Sequence, residues 1–165
     1  MKKATLLFFL MICVPSVMAQ AYRGEGDRKL HVGLNMQNRA TGITSTVDFG
    51  IGENMSYGFN ATYLLNTSEI GGESAAFGDK IDFKVRFNAN IGNVLNLGSK
   101  MDVYPGLNLG TRNFGAHLGF RHFFSNGFGV FAEGVAPLAR FKNQVRGFDH
   151  FNNQVTLSVG AAFNF

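Results

Sequence analysis

Apolar and polar side chains alternate with a period of two in eight segments between residues 30 and 165. The last segment, QVTLSVGAAFNF at 154–165, shows it most plainly. Val155, Leu157, Val159, Ala161, Phe163 and Phe165 share one face, and Gln154, Thr156, Ser158, Gly160, Ala162 and Asn164 share the other. Successive side chains of a strand point to opposite sides of a sheet, so this spacing predicts a strand with one apolar and one polar face. The same reading predicts strands at 30–37, 43–51, 55–65, 81–91, 101–110, 114–124 and 128–138. Most of these lengths suit a tilted strand crossing a membrane, which needs about 9–11 residues. Gly52-Glu53-Asn54 and Ser125-Asn126-Gly127 are tight-turn signals, whereas 66–80 and 139–153 are long connections.

The two faces differ sharply in composition. Of 44 positions on the apolar faces, 40 are apolar and none carries a charge; the exceptions are Ser45, Pro105, His122 and Gly134. The 39 opposite positions carry Asp48, Asp82, Lys84, Arg86, Asp102, Arg121 and Glu133, with nine glycines. A soluble barrel or sandwich would turn the apolar face inward, and an outer-membrane barrel would turn it toward lipid. Four features favour the second arrangement. The polar face holds only 7 charges in 39 positions, where a water-facing surface carries roughly 25–35%. Its four acids nearly balance its three bases, as a closed interior requires. Aromatic residues gather near strand ends on the apolar face, among them Phe49, Tyr57, Phe83, Phe114, Phe128 and Phe163, like the girdles of such barrels. The chain also ends on an aromatic residue in phase with that face. With eight strands the short connections 52–54 and 125–127 share a side with both termini, and the long ones fall opposite. The connection 92–100 is long for its side. Pro105 lies inside the fifth strand, where it must forfeit a ladder bond, so a bulge or an early strand start is expected there.

The N-terminus reads differently. Met1-Lys2-Lys3, an apolar run from Thr5 to Val14 and Val17-Met18-Ala19 have the layout of a secretory signal over 1–19, leaving a barrel domain at 20–165. Removing two signal lysines changes the balance from +4 to 13 − 11 = +2, too small to suggest a nucleic-acid partner. The lone Cys13 lies within the signal, so the exported chain has no disulfide and no thiol nucleophile.

The signal, the alternating segments and the terminal VTLSVGAAFNF together resemble small bacterial outer-membrane β-barrels of the OmpX/OmpA-like class. DVYPGLNLG at 102–110 and FGAHLGFRHFFSNGFGVFAEG at 114–134 resemble porin-like members without assigned activity. The resemblance implies a C-terminal assembly signal at Leu157, Val159, Ala161, Phe163 and Phe165, read by the outer-membrane insertion machinery. It implies an all-β, closed eight-stranded antiparallel up-and-down transmembrane β-barrel in the bacterial outer membrane, reached by export through the inner membrane.

Three groups of residues could carry chemistry. Asp48, Asp82, Lys84, Arg86, Asp102, His117, Arg121 and Glu133 form an interior polar cluster that could line a pore; in a barrel of eight strands, side chains fill the interior, so an ion-paired core is expected. Aromatic residues such as Tyr104, Phe123 and Phe131 are expected to pack over the inward glycines. His31 and His117 face inward, but no nucleophile motif accompanies them and no histidine pair has zinc-ligand spacing. No enzymatic activity, metal or cofactor is expected. Arg140, Lys142 and Arg146 in the last long loop could touch lipid phosphates. The expected function is a structural or surface-interaction role through the external loops, by a monomer without an open pore and with outer-membrane lipid as its surroundings; the external partner is not identified. A narrow passage for small solutes, a lipid-acting enzyme and a soluble ligand-binding barrel are the alternatives.

Overall fold

The computed structural model describes residues 20–142 and 147–165. The export signal expected over 1–19, Cys13 included, lies outside the described residues, as does Arg146. The chain forms β1 (Arg28–Gln37), β2 (Ala40–Gly50), β3 (Met55–Thr67), β4 (Ile81–Ala89), β5 (Met101–Gly110), β6 (Asn113–Phe123), β7 (Phe128–Arg140) and β8 (Thr156–Asn164). Each strand pairs antiparallel with the next, and β1 closes on β8 from Lys29↔Asn164 to Gln37↔Thr156. The fold is therefore the closed up-and-down eight-stranded barrel that the resemblance implies, built from the eight strands that the alternation predicts. No strand end moves by more than three residues from its predicted place.

The first long connection is shorter than expected because β3 runs on to Thr67, and the second lies two residues further along because β7 runs on to Arg140 and β8 starts only at Thr156. Two-residue turns, 38–39 and 111–112, share their end of the barrel with the long connections. The other end holds both described termini and the connections 51–54, 90–100 and 124–127.

Pro105 departs from expectation. No register shift occurs beside it, and β5 starts at Met101 as predicted. The register shifts lie elsewhere, at Thr41/Gly42 against β3 and at Phe114/Gly115 against β7. Instead of bulging, the β4–β5 ladder stops: it has five pairs, from Lys84↔Gly110 to Asn88↔Gly106, against eight to eleven in the other seams. Thr111 N donates to Phe83 O, so odd residues of β5 face β4 with their N–H groups. Pro105 has no N–H to give at the next such rung. Beyond it, Ile91 N reaches Val103 O at 2.9 Å in the same register, so the proline removes a rung without displacing the strand.

The described residues are arranged inside out relative to a water-soluble core. Twenty-three polar or charged side chains are buried, against nine hydrophobic ones, while 28 large hydrophobic side chains are exposed. Leu34, Phe59, Leu109 and Leu118 are each more than half exposed, and Arg121, Asp48, Asp82 and His31 are almost wholly buried. Aromatic contacts gather at both rims. Phe49–Tyr57, Phe124–Phe128 and Phe128–Phe163 have ring centroids 5.4, 6.2 and 5.7 Å apart at the terminal end, and Tyr63–Phe77 lie 5.7 Å apart at the other.

Both mouths are covered. At the terminal end, residues 20–27 fold across the opening. Ala21 packs with Phe123, Phe131 and Ala162, and its N–H donates to Ser99 O. The segment turns on Gly24 and Gly26, whose φ values of 91° and 80° favour glycine. At the opposite mouth Ala75 and Phe151 from the long connections pack on Ala40 and Leu64, with Ile70 and Phe148 alongside.

Candidate functional site

Strand register places the predicted interior residues at three levels. Nearest the termini, Arg121 Nη2 donates to Asp102 Oδ2 at 2.6 Å and to Asn90 Oδ1 at 2.7 Å. Asp102 Oδ1 also accepts the N–H of Gly92, which ties the long 90–100 connection to the barrel floor. In the middle, Arg86 presents a two-pronged guanidinium to Glu133, with bonds of 3.0 and 2.7 Å. Asp48 lies 3.4 Å from its Nε, which donates to Asn88 Oδ1. Nearer the loops, Lys84 is 3.5 Å from Asp82, and Asp82 accepts the hydroxyl of Thr111. The expected single cluster is thus three groups. Tyr104 bridges two of them, its ring centroid 4.8 Å from the Arg121 guanidinium carbon and 5.7 Å from that of Arg86.

The inward glycines make room for these large side chains. A Cβ on Gly119 would lie 2.0 Å from a carbon of the Tyr104 ring, and one on Gly33 would lie 3.0 Å from the tip of Phe131. Phe131 and Tyr104 in turn stack on the buried His31 ring, with centroids at 4.7 and 5.8 Å. The Phe123 ring also meets Lys29 Nζ at 5.4 Å and joins the cluster around Ala21.

His117 is held by amides: Nε2 lies 2.7 Å from Asn88 Oδ1 and Nδ1 lies 3.3 Å from Asn108 Nδ2. Neither a hydroxyl nor a carboxylate is among these partners, so the arrangement orients the ring without supplying a nucleophile or a proton relay. Among the described residues, no three His, Cys, Asp or Glu side chains come together as metal ligands.

Two interior features escape the sequence reading. Lys29 and Asp27 form a buried ion pair beneath Phe123. Extending the alternation one step before His31 would have found Lys29; Asp27 precedes the strand and carries no periodic signal. Tyr22, in the N-terminal cap, donates its hydroxyl to Gly52 O at 2.9 Å and to Met55 O. Burial pushes its phenol up to about 12, with the nearby Asp27 charge adding to the effect.

The C-terminal residues lie on the outer surface. Leu157, Val159 and Phe165 are exposed, Ala161 and Phe163 half-buried, and Phe163 pairs with Leu30 on β1 and Phe128 on β7. Of the external-loop candidates, Arg140 is exposed at the end of β7, and Lys142 pairs with Asp149 at 2.7 Å. A cleft of about 480 Å³ opens beside them, between the start of β4, the 111–112 turn and the last loop.

The model of DUF6646, a family of unknown function, matches residues 11–165. No curated protein matches the chain.

Proposed function

We propose, starting from the premise that the chain belongs to DUF6646 and that this family carries no assigned activity, that it is a small outer-membrane β-barrel of the OmpX/OmpA-like kind. Its role is structural or surface-interacting, exerted through the loop end, and it offers solutes no open path. One observation carries the reading: among the described residues, 28 large hydrophobic side chains are exposed while 23 polar ones are buried. In water this distribution is unfavourable on both counts, since apolar area is left wet and charges are desolvated. In lipid the outward face needs no water, and closing β1 on β8 removes the unpaired sheet edge that a bilayer does not tolerate. The two aromatic rims suit the bilayer interfaces. The filled interior and the two covered mouths support a closed barrel over a passage.

On this reading the protein is exported, is inserted by the outer-membrane assembly machinery through its C-terminal strand, and sits as a monomer with periplasmic termini. The test is fractionation. The protein should stay in the membrane pellet after salt and alkaline washes, require detergent for extraction, and migrate faster unboiled than boiled on a denaturing gel. Recovery in the soluble periplasmic fraction would overturn it. Steady single-channel steps in a planar bilayer would overturn the closed-barrel part alone.

A further inference from the structure

We propose that the lateral cleft at the loop end binds an anionic membrane lipid, with Arg112 and Lys142 holding the headgroup phosphate and Ile81, Phe83 and Phe141 receiving the acyl chain. This rests on the membrane reading above and adds a specific lipid contact to it. The cleft is amphipathic in the direction a lipid requires. Ile81, Phe83 and Phe141 line one part of it, and Phe83 and Phe141 are 54% and 56% exposed, continuing the outward apolar band. Arg112, Lys142, Thr111, Asp79 and Asn153 line the rest. A free phosphate would have no use for the aromatic floor, whereas a lipid uses both halves.

The charges decide which headgroup fits. Asp79 and Asp149 also line the cleft, so its own formal charges balance, and the question is which of them are engaged. Asp79 accepts the N–H of Ala76 at 3.2 Å. Asp149 holds Lys142, but that lysine is 67% exposed, and an exposed ion pair contributes little. Arg112 donates from Nη2 to Gly78 O at 2.6 Å, while its Nε, shielded from solvent, has no partner. A guanidinium with a donor to spare beside an exposed ammonium suits a phosphate that carries no compensating cation. Arg140 is exposed nearby at the end of β7 and adds positive charge to the rim.

The experiment uses the full exported chain refolded in detergent micelles, with lipid retention read by native mass spectrometry. The probes are phosphatidic acid, phosphatidylcholine with the same acyl chains, and inorganic phosphate. The wild type should retain one phosphatidic acid per barrel at least tenfold more strongly than phosphatidylcholine. Arg112→Gln with Lys142→Gln should bring the two lipids level, and Phe141→Ser should weaken retention of both. Equal retention of the two lipids by the wild type, or unchanged preference in the double variant, would overturn the proposal. Inorganic phosphate displacing phosphatidic acid at similar concentration would identify a plain anion site and overturn it as well. The unboiled gel band separates the two levels of the argument. A barrel band without lipid preference refutes the cleft alone, and no barrel band refutes the membrane reading beneath it. Should the double variant fail to give the band, the exposed Lys142→Gln alone carries the comparison.

Discussion

Glu133→Ala should destabilise the inserted barrel by about 3 kcal/mol, and the structure sets that figure. Glu133 accepts two hydrogen bonds from Arg86, at 3.0 and 2.7 Å, in a buried position. Removing one partner of a buried ion pair costs about 3–5 kcal/mol, because a desolvated charge is left behind. The low end applies here, since Arg86 keeps Asp48 at 3.4 Å and its bond to Asn88. A loss of 3 kcal/mol lowers the folding equilibrium by a factor of a little over 100, at about 1.4 kcal/mol per tenfold. Glu133→Gln, which keeps the shape and one acceptor oxygen, should cost about half as much. Replacing the triad together, with Asp48→Leu, Arg86→Met and Glu133→Met, should be far milder than Glu133→Ala, because no charge is orphaned. Urea titration in lipid vesicles measures all three variants. The chain has no Trp, so strand circular dichroism and the unboiled gel band report folding in place of indole fluorescence. A midpoint for Glu133→Ala equal to wild type would refute the reasoning, since Arg86 would then be solvated or otherwise paired. A triple variant worse than Glu133→Ala would refute the argument that the cost arises from the orphaned charge.

The remaining predictions address the outer face and the ends. Val159→Arg places a charge on the outward face of β8 and should cost about 2–4 kcal/mol in the same titration; no change would mean that face does not meet lipid. Deleting Phe165, which is exposed at the chain end, should lower the amount of barrel assembled in cells without altering the stability of what is assembled. Undiminished assembly would remove the C-terminal signal from the account. Gly119→Val should prevent the barrel band from forming at all, since even a Cβ there would lie 2.0 Å from the Tyr104 ring, and overpacking of a filled interior costs about 1–3 kcal/mol or more. Tyr22 bonds the N-terminal cap only as a neutral phenol. Its folded value is raised to about 12, so its contribution is complete below about 10 and is lost as pH rises toward 12. Hydrogen exchange of residues 20–27 should therefore accelerate across that window in the wild type and show no such step in Tyr22→Phe.

The barrel was legible because a period of two survives any change of neighbour. Every strand of the fold carries it, and the charge-free face identified the outward side before any pairing was known. Which charge pairs with which was not legible. Arg86 on β4 meets Glu133 on β7 across the barrel interior, and no local spacing encodes a contact between strands that do not pair. The interior group therefore reads as one set in sequence and as three in space. The end caps were hidden for a related reason: 20–27 and the Ala75–Phe151 contacts are irregular backbone, without periodicity to read. Lys142 stood out as a loop cation, but Arg112 did not, because it sits alone in a two-residue turn and gains its meaning from Gly78, 34 residues away. Pro105 signals a disturbance in sequence but not its form, since a lost rung can be absorbed by ending a ladder as well as by bulging it.

The interior also explains why variation in function would have to lie outside it. Its large side chains are matched to absences: Tyr104 to Gly119, His117 to Gly106, Phe131 to Gly33. Each match fixes a ring or an imidazole against the opposing backbone, and the arginines then close over the rings. Opening a passage would require parting Arg86 from Glu133 and Arg121 from Asp102 while displacing Tyr104, and lifting the cap at each mouth. Each of these moves leaves a buried charge without its partner, so each is individually uphill. The loop end is different in kind. Two of its four connections are reduced to two residues, which leaves 68–80 and the segment after Arg140 as the only long surfaces there. Together with the start of β4 and the 111–112 turn, those segments line the lateral cleft, where Lys142, Phe83 and Phe141 are exposed. On the proposed reading, a barrel built this way keeps its interior for holding shape and offers one rim for recognition.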